Sequence, residues 1–342
     1  QICLIILSAC LMGIAQQPIN LGFIAWIGLV PFIYVISKNE LKNTIIYSFT
    51  WGFLYNLIVV FWLSQNIGTS KIAAFISMIL AVLILSLNTV AISYIWFRIK
   101  KNNQYSIFLI PFIWVSIEFI RSFGILGFPW ISLANTQLDY FYLIQNAEYV
   151  GIYGISFWIV LINSFLYWIL FHNRKLNLYL SLCAVFVFPW LLGIYHLSQV
   201  NETSIDDYKV SIIQPNIGLS NKRDYSKRFF NIDNLILKSK KCIKQGSKLI
   251  IWPESALPYD NLQDPKTLKY IIDNLLIDND SYLLTGNVIY DKKEHFNSAV
   301  LINKTGIVEV YNKRLLVPVA EYVPLSDVFK KLNELNFLNF LF

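Results

Sequence analysis

Long apolar runs separated by short polar breaks fill the first 196 positions of the chain. They are Ile2–Ala15, Ile19–Ser37, Ile45–Leu63, Ile72–Phe97, Ser106–Ile120, Ile152–Phe171 and Leu178–Tyr195. A helix that crosses a bilayer needs roughly 20 such residues. The pattern therefore predicts seven membrane spans, the first of them short. The polar run SQVNETSIDDY, at about 197–208, ends it and reads as a linker. Beyond it the period changes. Lys209–Gln214 alternates and is β-branched, as a strand would be. Arg223–Gln245 carries Phe229, Ile232, Leu235, Ile236 and Ile243 at near-helical spacing. Leu249–Trp252 reads as a buried strand, Pro265–Asp278 as a helix with proline in its first turn, and Tyr282–Tyr290 as a strand. Ser298–Asn303 and Ile307–Tyr311 flank Lys304-Thr305-Gly306 as a hairpin would. Strands alternating with helices, then a hairpin, predict an α/β sheet.

Composition agrees with a membrane protein. The chain is 56% hydrophobic and 14% charged, with a mean hydropathy of +0.52, where a soluble domain is about a quarter charged. Most ionised groups follow Asn201. Basic residues mark alternate loops: Lys38 and Lys42; Arg98, Lys100 and Lys101; Arg174 and Lys175. The intervening loops hold almost none. Basic loops remain cytoplasmic, so an odd number of spans places everything after His196 on the outer side. The net charge of +7 is spread over these flanks and one helix. Anionic headgroups account for it without nucleic acid.

The cysteines, at 3, 10, 183 and 242, and the histidines, at 172, 196 and 295, form no disulfide or metal spacing. The segment RSFGILGFPWISLANTQLDYFYLIQNAEYVGIYG after the fifth span is rich in Gly, Pro and aromatics. It reads as a re-entrant or interfacial stretch that holds lipid, or as an ordinary aromatic belt. Glu118 and Arg121, three apart at the end of a span, could pair on one helix face or mark a functional position. Two stretches carry candidate chemistry. In SKLIIWPESALPYD, Pro253 stops a buried strand and aims Glu254 from its end, where α/β proteins place reacting groups. Partial burial there would suit a general base. In YNKRLLVPVAEYVPL, Lys313 follows the hairpin and offers a fixed cation for an oxyanion.

Together WPES, FNSA (Phe296–Ala299) and YNKRLLVP…EYVP, in this order, resemble the nitrilase (carbon–nitrogen hydrolase) superfamily. The GFPW loop at Gly127–Trp130, the run QNAEYVGIYGISF and the multi-span N-terminal half resemble one branch of it, the apolipoprotein N-acyltransferases. The resemblance implies a multi-span α-helical membrane domain (1–196) and a nitrilase-like α-β-β-α sandwich (209–342) facing the periplasm of a bacterial inner membrane. It implies Glu254 as general base, Lys313 as oxyanion stabiliser and Glu321 as a supporting carboxylate. The implied reaction moves a phospholipid acyl chain to a cysteine, then to the α-amine of a diacylglyceryl-cysteine lipoprotein. No cofactor or metal enters, and a monomer among membrane lipids is expected. The branch's nucleophilic cysteine and last span lie downstream of EYVP. The chain ends at Phe342 before either, so these 342 residues are expected to be incomplete in the sandwich and inactive alone. Cys242, ahead of Glu254 in the basic run KSKKCIKQG, does not match that nucleophile. VPVAE stands where the branch has Phe-Gly before the glutamate, and Asp224-Tyr225 follow Arg223 where it has an aromatic.

Two other readings compete: a membrane-tethered amidase or nitrilase on a small amide, and a non-catalytic scaffold or transporter. A soluble substrate needs no lipid-lined entrance. A transporter places polar or broken helices at mid-membrane.

Overall fold

The computed structural model describes residues 1–66, 70–100, 103–124, 127–200, 208–222, 224–257, 262–291 and 294–316. They fall into two compact units, one within Gln1–Asn201 and one within Glu202–Tyr322. Glu321, the EYVP segment and the Ser326–Phe342 tail lie outside the described residues.

The first unit is helical. Its main elements are α1 (Ile2–Ala15), α2 (Val30–Lys38), α3 (Leu41–Val60), α4 (Lys71–Lys100), α5 (Ile110–Arg121), α6 (Ala147–Phe171) and α7 (Leu176–Gln199). With the 3₁₀ turns that extend α3 and lead into α5, five of the seven predicted spans are long and apolar enough to cross a membrane. The other two apolar helices, Ile2–Ala15 and Gly22–Lys38, fall short of 18 residues. The second is also interrupted. A 3₁₀ turn at Gly22–Ile24 leads into Ala25–Gly28, and Pro31 opens α2. In lipid a broken helix must have its free backbone groups satisfied from within the protein. Asn163 on α6 does this: its Oδ1 accepts from Leu29 N at 2.9 Å and its Nδ2 donates to Ala25 O at 2.8 Å.

Aromatic rings fill the centre. Trp51 is 1% exposed. Its ring centroid lies 5.0 Å from Phe32, 4.9 Å from Tyr55 and 5.9 Å from Trp114, and its Nε1 donates to Ser8 Oγ. The glycine-rich segment before α6 forms short turns at Pro129–Ile131, Leu133–Gln137 and Phe141–Ile144. Ile131, Leu133, Ala134 and Leu143 are buried, so the segment packs as part of the unit. Gly151 takes φ +62°, which breaks the helix within α6. α7 differs from the rest: Gly193 is its one buried residue, and a Cβ there would meet the Tyr142 carbonyl oxygen at 1.6 Å.

No ion pair joins Glu118 to Arg121 among the described residues, unlike the pairing that their spacing allows. Helical spacing brings the two onto one face, but three donors have taken the carboxylate. Trp114 Nε1 (3.1 Å) and Leu133 N (3.0 Å) donate to Oε1, and Ser132 Oγ (2.8 Å) donates to Oε2.

The second unit is one mixed sheet in the order β1 (Val210–Ile212), β2 (Leu249–Ile251), β3 (Tyr282–Asp291), β4 (Glu294–Asn303), β5 (Gly306–Asn312). β1, β2 and β3 are parallel. β3, β4 and β5 are antiparallel, with a register shift at Leu301/Ile302. The parallel pairs require crossovers, supplied by α8 (Arg228–Lys244) and α9 (Pro265–Ile271). Asp264 caps α9 through Lys266 N, and Pro265 opens it; the predicted helix continues as a π turn, Ile272–Leu276. Ile232, Leu235 and Ile236 of α8 pack with Ile250, Leu283, Val300 and Ile302 of the sheet. A four-layer sandwich has a second sheet, and the described residues form one.

Candidate active site

The sheet determines where the two singled-out residues lie. β2 runs to Ile251, then Trp252 N donates to Leu284 O at 2.8 Å, so the chain stays zipped to β3 for one more residue. Trp252 is 3% exposed and its Nε1 donates to Ser239 Oγ of α8 at 2.8 Å. Pro253 brings no N–H for a further rung. The chain leaves the ladder there, with Glu254 at the carboxyl end of a parallel strand.

The main chain at Glu254 then lies against β3 at Gly286. A Cβ on that glycine would fall 1.8 Å from the Glu254 carbonyl oxygen. Only a residue without a side chain fits. Gly286→Ala is expected to push the Glu254 backbone out of place and to lower stability by about 1–3 kcal/mol, as overpacking does. Thermal unfolding of the purified protein measures it, and an unchanged midpoint would count against the close approach.

From there the Glu254 side chain reaches the last two strands. Asn297 Nδ2 on β4 donates to Oε1 at 2.6 Å, and Lys313 Nζ donates to the same oxygen at 3.0 Å. Lys313 lies one residue past β5, and its backbone N donates to Asn297 O at 2.8 Å. Asn297 therefore fixes the carboxylate with its side chain and the lysine with its carbonyl. The lysine and glutamate side chains are 31% and 59% exposed. An ion pair this open adds only about 0–1 kcal/mol to stability. Its geometry is worth more as chemistry than as glue: an acid and an ammonium share one oxygen, and both side chains are partly exposed.

The structure thus brings Glu254 and Lys313 together across 59 positions of sequence. The carboxylate is more exposed than the sequence reading supposed. The neighbouring Arg314 guanidinium lies 5.6 Å from the Tyr311 ring centroid. Sequence reasoning missed the part Asn297 plays, although FNSA was in view. The signal was the antiparallel hairpin, whose register pairs Ser298 with Asn312 and so sets Asn297 opposite Lys313. Cys242 packs against the core of this unit from α8. Asn297→Ala removes a hydrogen bond to a charged group, worth roughly 1.5–3 kcal/mol. In a chain that also carries the expected downstream cysteine, turnover should fall by about 10- to 100-fold; steady-state kinetics with no change beyond twofold would contradict it.

The chain matches the family profile described as the apolipoprotein N-acyltransferase N-terminal domain, over residues 8–165. It is similar to an apolipoprotein N-acyltransferase of Geobacter metallireducens, 28% identical over 96% of this chain and 66% of the relative. One from Chlorobaculum tepidum is 25% identical over 97% of this chain and 67% of the relative. One from Rickettsia prowazekii is 31% identical over 68% of this chain and 48% of the relative. The chain spans about two thirds of the length of the relatives it matches end to end.

Proposed function

The chain belongs to the apolipoprotein N-acyltransferase family, and on that premise we propose that it N-acylates the α-amine of the diacylglyceryl-cysteine of bacterial lipoproteins. The observation that carries the reading is the shared oxygen: Glu254 Oε1 receives both Lys313 Nζ and Asn297 Nδ2.

The acyl donor is a phospholipid of the membrane in which the helices sit. In the family pattern the nucleophile is a thiol C-terminal to the EYVP segment. Glu254 takes the proton from that thiol, since only the thiolate attacks well. The sulfur adds to the ester carbonyl of the donor, and the oxyanion forms beside the Lys313 ammonium. The carbonyl re-forms, the lysophospholipid oxygen leaves with the proton held by Glu254, and a thioester remains. The lipoprotein α-amine then attacks the thioester. Its proton passes to Glu254 and back to the departing sulfur, an amide forms and the thiol is restored. Glu321 supports the carboxylate–ammonium pair in this scheme.

Anchoring suits the chemistry. Both substrates live in the bilayer, and a site tethered there meets them at high effective concentration. The basic residues of alternate loops favour a periplasmic second unit at the inner membrane, and the scheme needs no more than a monomer. Mass spectrometry of lipoprotein N-termini in cells depleted of the protein is the test. Diacylated lipoproteins with a free α-amine are expected to accumulate. Unchanged N-acylation would remove the reading and favour an amidase acting on another substrate.

A further inference from the structure

The helical unit holds a polar cluster of its own. It surrounds a cavity of about 20 Å³ among α3, α4 and α5, whose wall includes Tyr55, Asn56, Thr89, Trp114, Glu118 and Arg121. Two atoms in this wall are sealed from bulk solvent and have no protein partner: Asn56 Oδ1 and Arg121 Nε. Asn56 is 2% exposed, and its amide nitrogen is engaged with Gly52 O at 2.7 Å. One orphan accepts and the other donates. A buried polar group left alone is costly, and more so where no lipid can satisfy it.

The size of the cavity selects the guest. A single water needs about 10–15 Å³ and two to four polar partners. The cavity exceeds the first requirement, and is far too small for a lipid headgroup. We infer that one resident water bridges this site, accepting from Arg121 Nε–H and donating to Asn56 Oδ1. The bridge accounts for the absent Glu118–Arg121 ion pair. With water serving the guanidinium, both carboxylate oxygens are left to hold Trp114, Ser132 and Leu133.

Hydroxyl-radical footprinting of the purified protein in lipid nanodiscs tests this, because radicals born from a bound water oxidise the side chains beside it. Tyr55 and Trp114, 4% and 5% exposed, should be oxidised several-fold faster than Tyr167 and Trp158, 2% and 7% exposed and outside the wall. Asn56→Leu puts an apolar group at the acceptor and should bring the wall residues down to that control rate. Labelling of the exposed Trp62 and Trp130 should stay constant, as a check on folding. Equal rates for wall and control residues in the unmodified protein would overturn the inference, as would an Asn56→Leu protein whose wall residues remain reactive. If that variant does not fold, the comparison within the unmodified protein decides alone. No acyl transfer is measured, so the outcome is independent of the proposed reaction.

Discussion

Cells whose only copy of the protein carries Glu254→Gln are expected to accumulate lipoproteins with a free α-amine. Glutamine is nearly the same shape, so Asn297 and Lys313 still find an oxygen to bond. What it cannot do is take a proton. General-base catalysis contributes roughly 10²- to 10⁴-fold, and N-acylation rates should fall by about that factor. Lys313→Ala should cost a comparable amount for a different reason, since a preorganised donor to an oxyanion is worth about 10²–10³ in turnover. Neither change should move thermal stability far, because the pair is open to solvent. The double variant offers the sharper check. If acid and ammonium act as one unit, the combined loss will be much less than the product of the two. Fully multiplicative losses would mean that the two groups serve separate steps. Activity retained in Glu254→Gln would end the assignment of that carboxylate as base.

The second large effect is on stability. Glu118 is 3% exposed and is the acceptor for three separate donors. Glu118→Leu leaves all three unmet. Side-chain hydrogen bonds inside membrane proteins are worth less than in dry calculations, because the unfolded chain in lipid also finds partners. Even so, about 2–4 kcal/mol is expected for the set. The loss should appear as a drop of several degrees in the unfolding midpoint in nanodiscs. Glu118→Gln is the control. Its carbonyl oxygen replaces Oε1 for Trp114 and Leu133, and its amide donates to Ser132 Oγ, which is free to donate onward to Ser156 Oγ at 2.8 Å. The glutamine should be close to neutral. Equal damage from both substitutions would show that charge, not hydrogen-bond count, holds this place.

The contrast between those sites explains what could be read from the chain beforehand. Apolar runs declare helices because a bilayer demands length and hydrophobicity, and the five longer spans follow from that alone. Val210, Leu249 and Tyr282 begin strands close to where β-branched and aromatic runs begin. The extension of β4 back to Glu294 was hidden, since Phe296 is the one apolar residue in Glu294–Asn297, which nonetheless pairs with β3. The first interrupted helix was hidden too, because Ile19–Ser37 is apolar throughout. Its break is stabilised by Asn163, more than a hundred positions away, and no local pattern announces such a partner. Glu254 and Lys313 were legible as candidates from the prolines and the hairpin beside them. Their meeting depends on Gly286 and Asn297, two residues whose contributions are a missing side chain and a well-placed amide.

The helix Leu176–Gln199 has a different evolutionary outlook. Its outward face owes its place to lipid, which does not distinguish leucine from valine or phenylalanine. Those positions are free to drift among fatty letters from one lineage to the next. Position 193 is not, because there the Tyr142 main chain occupies the room a methyl group would need. Within that helix, one glycine should stay fixed while its outward neighbours wander.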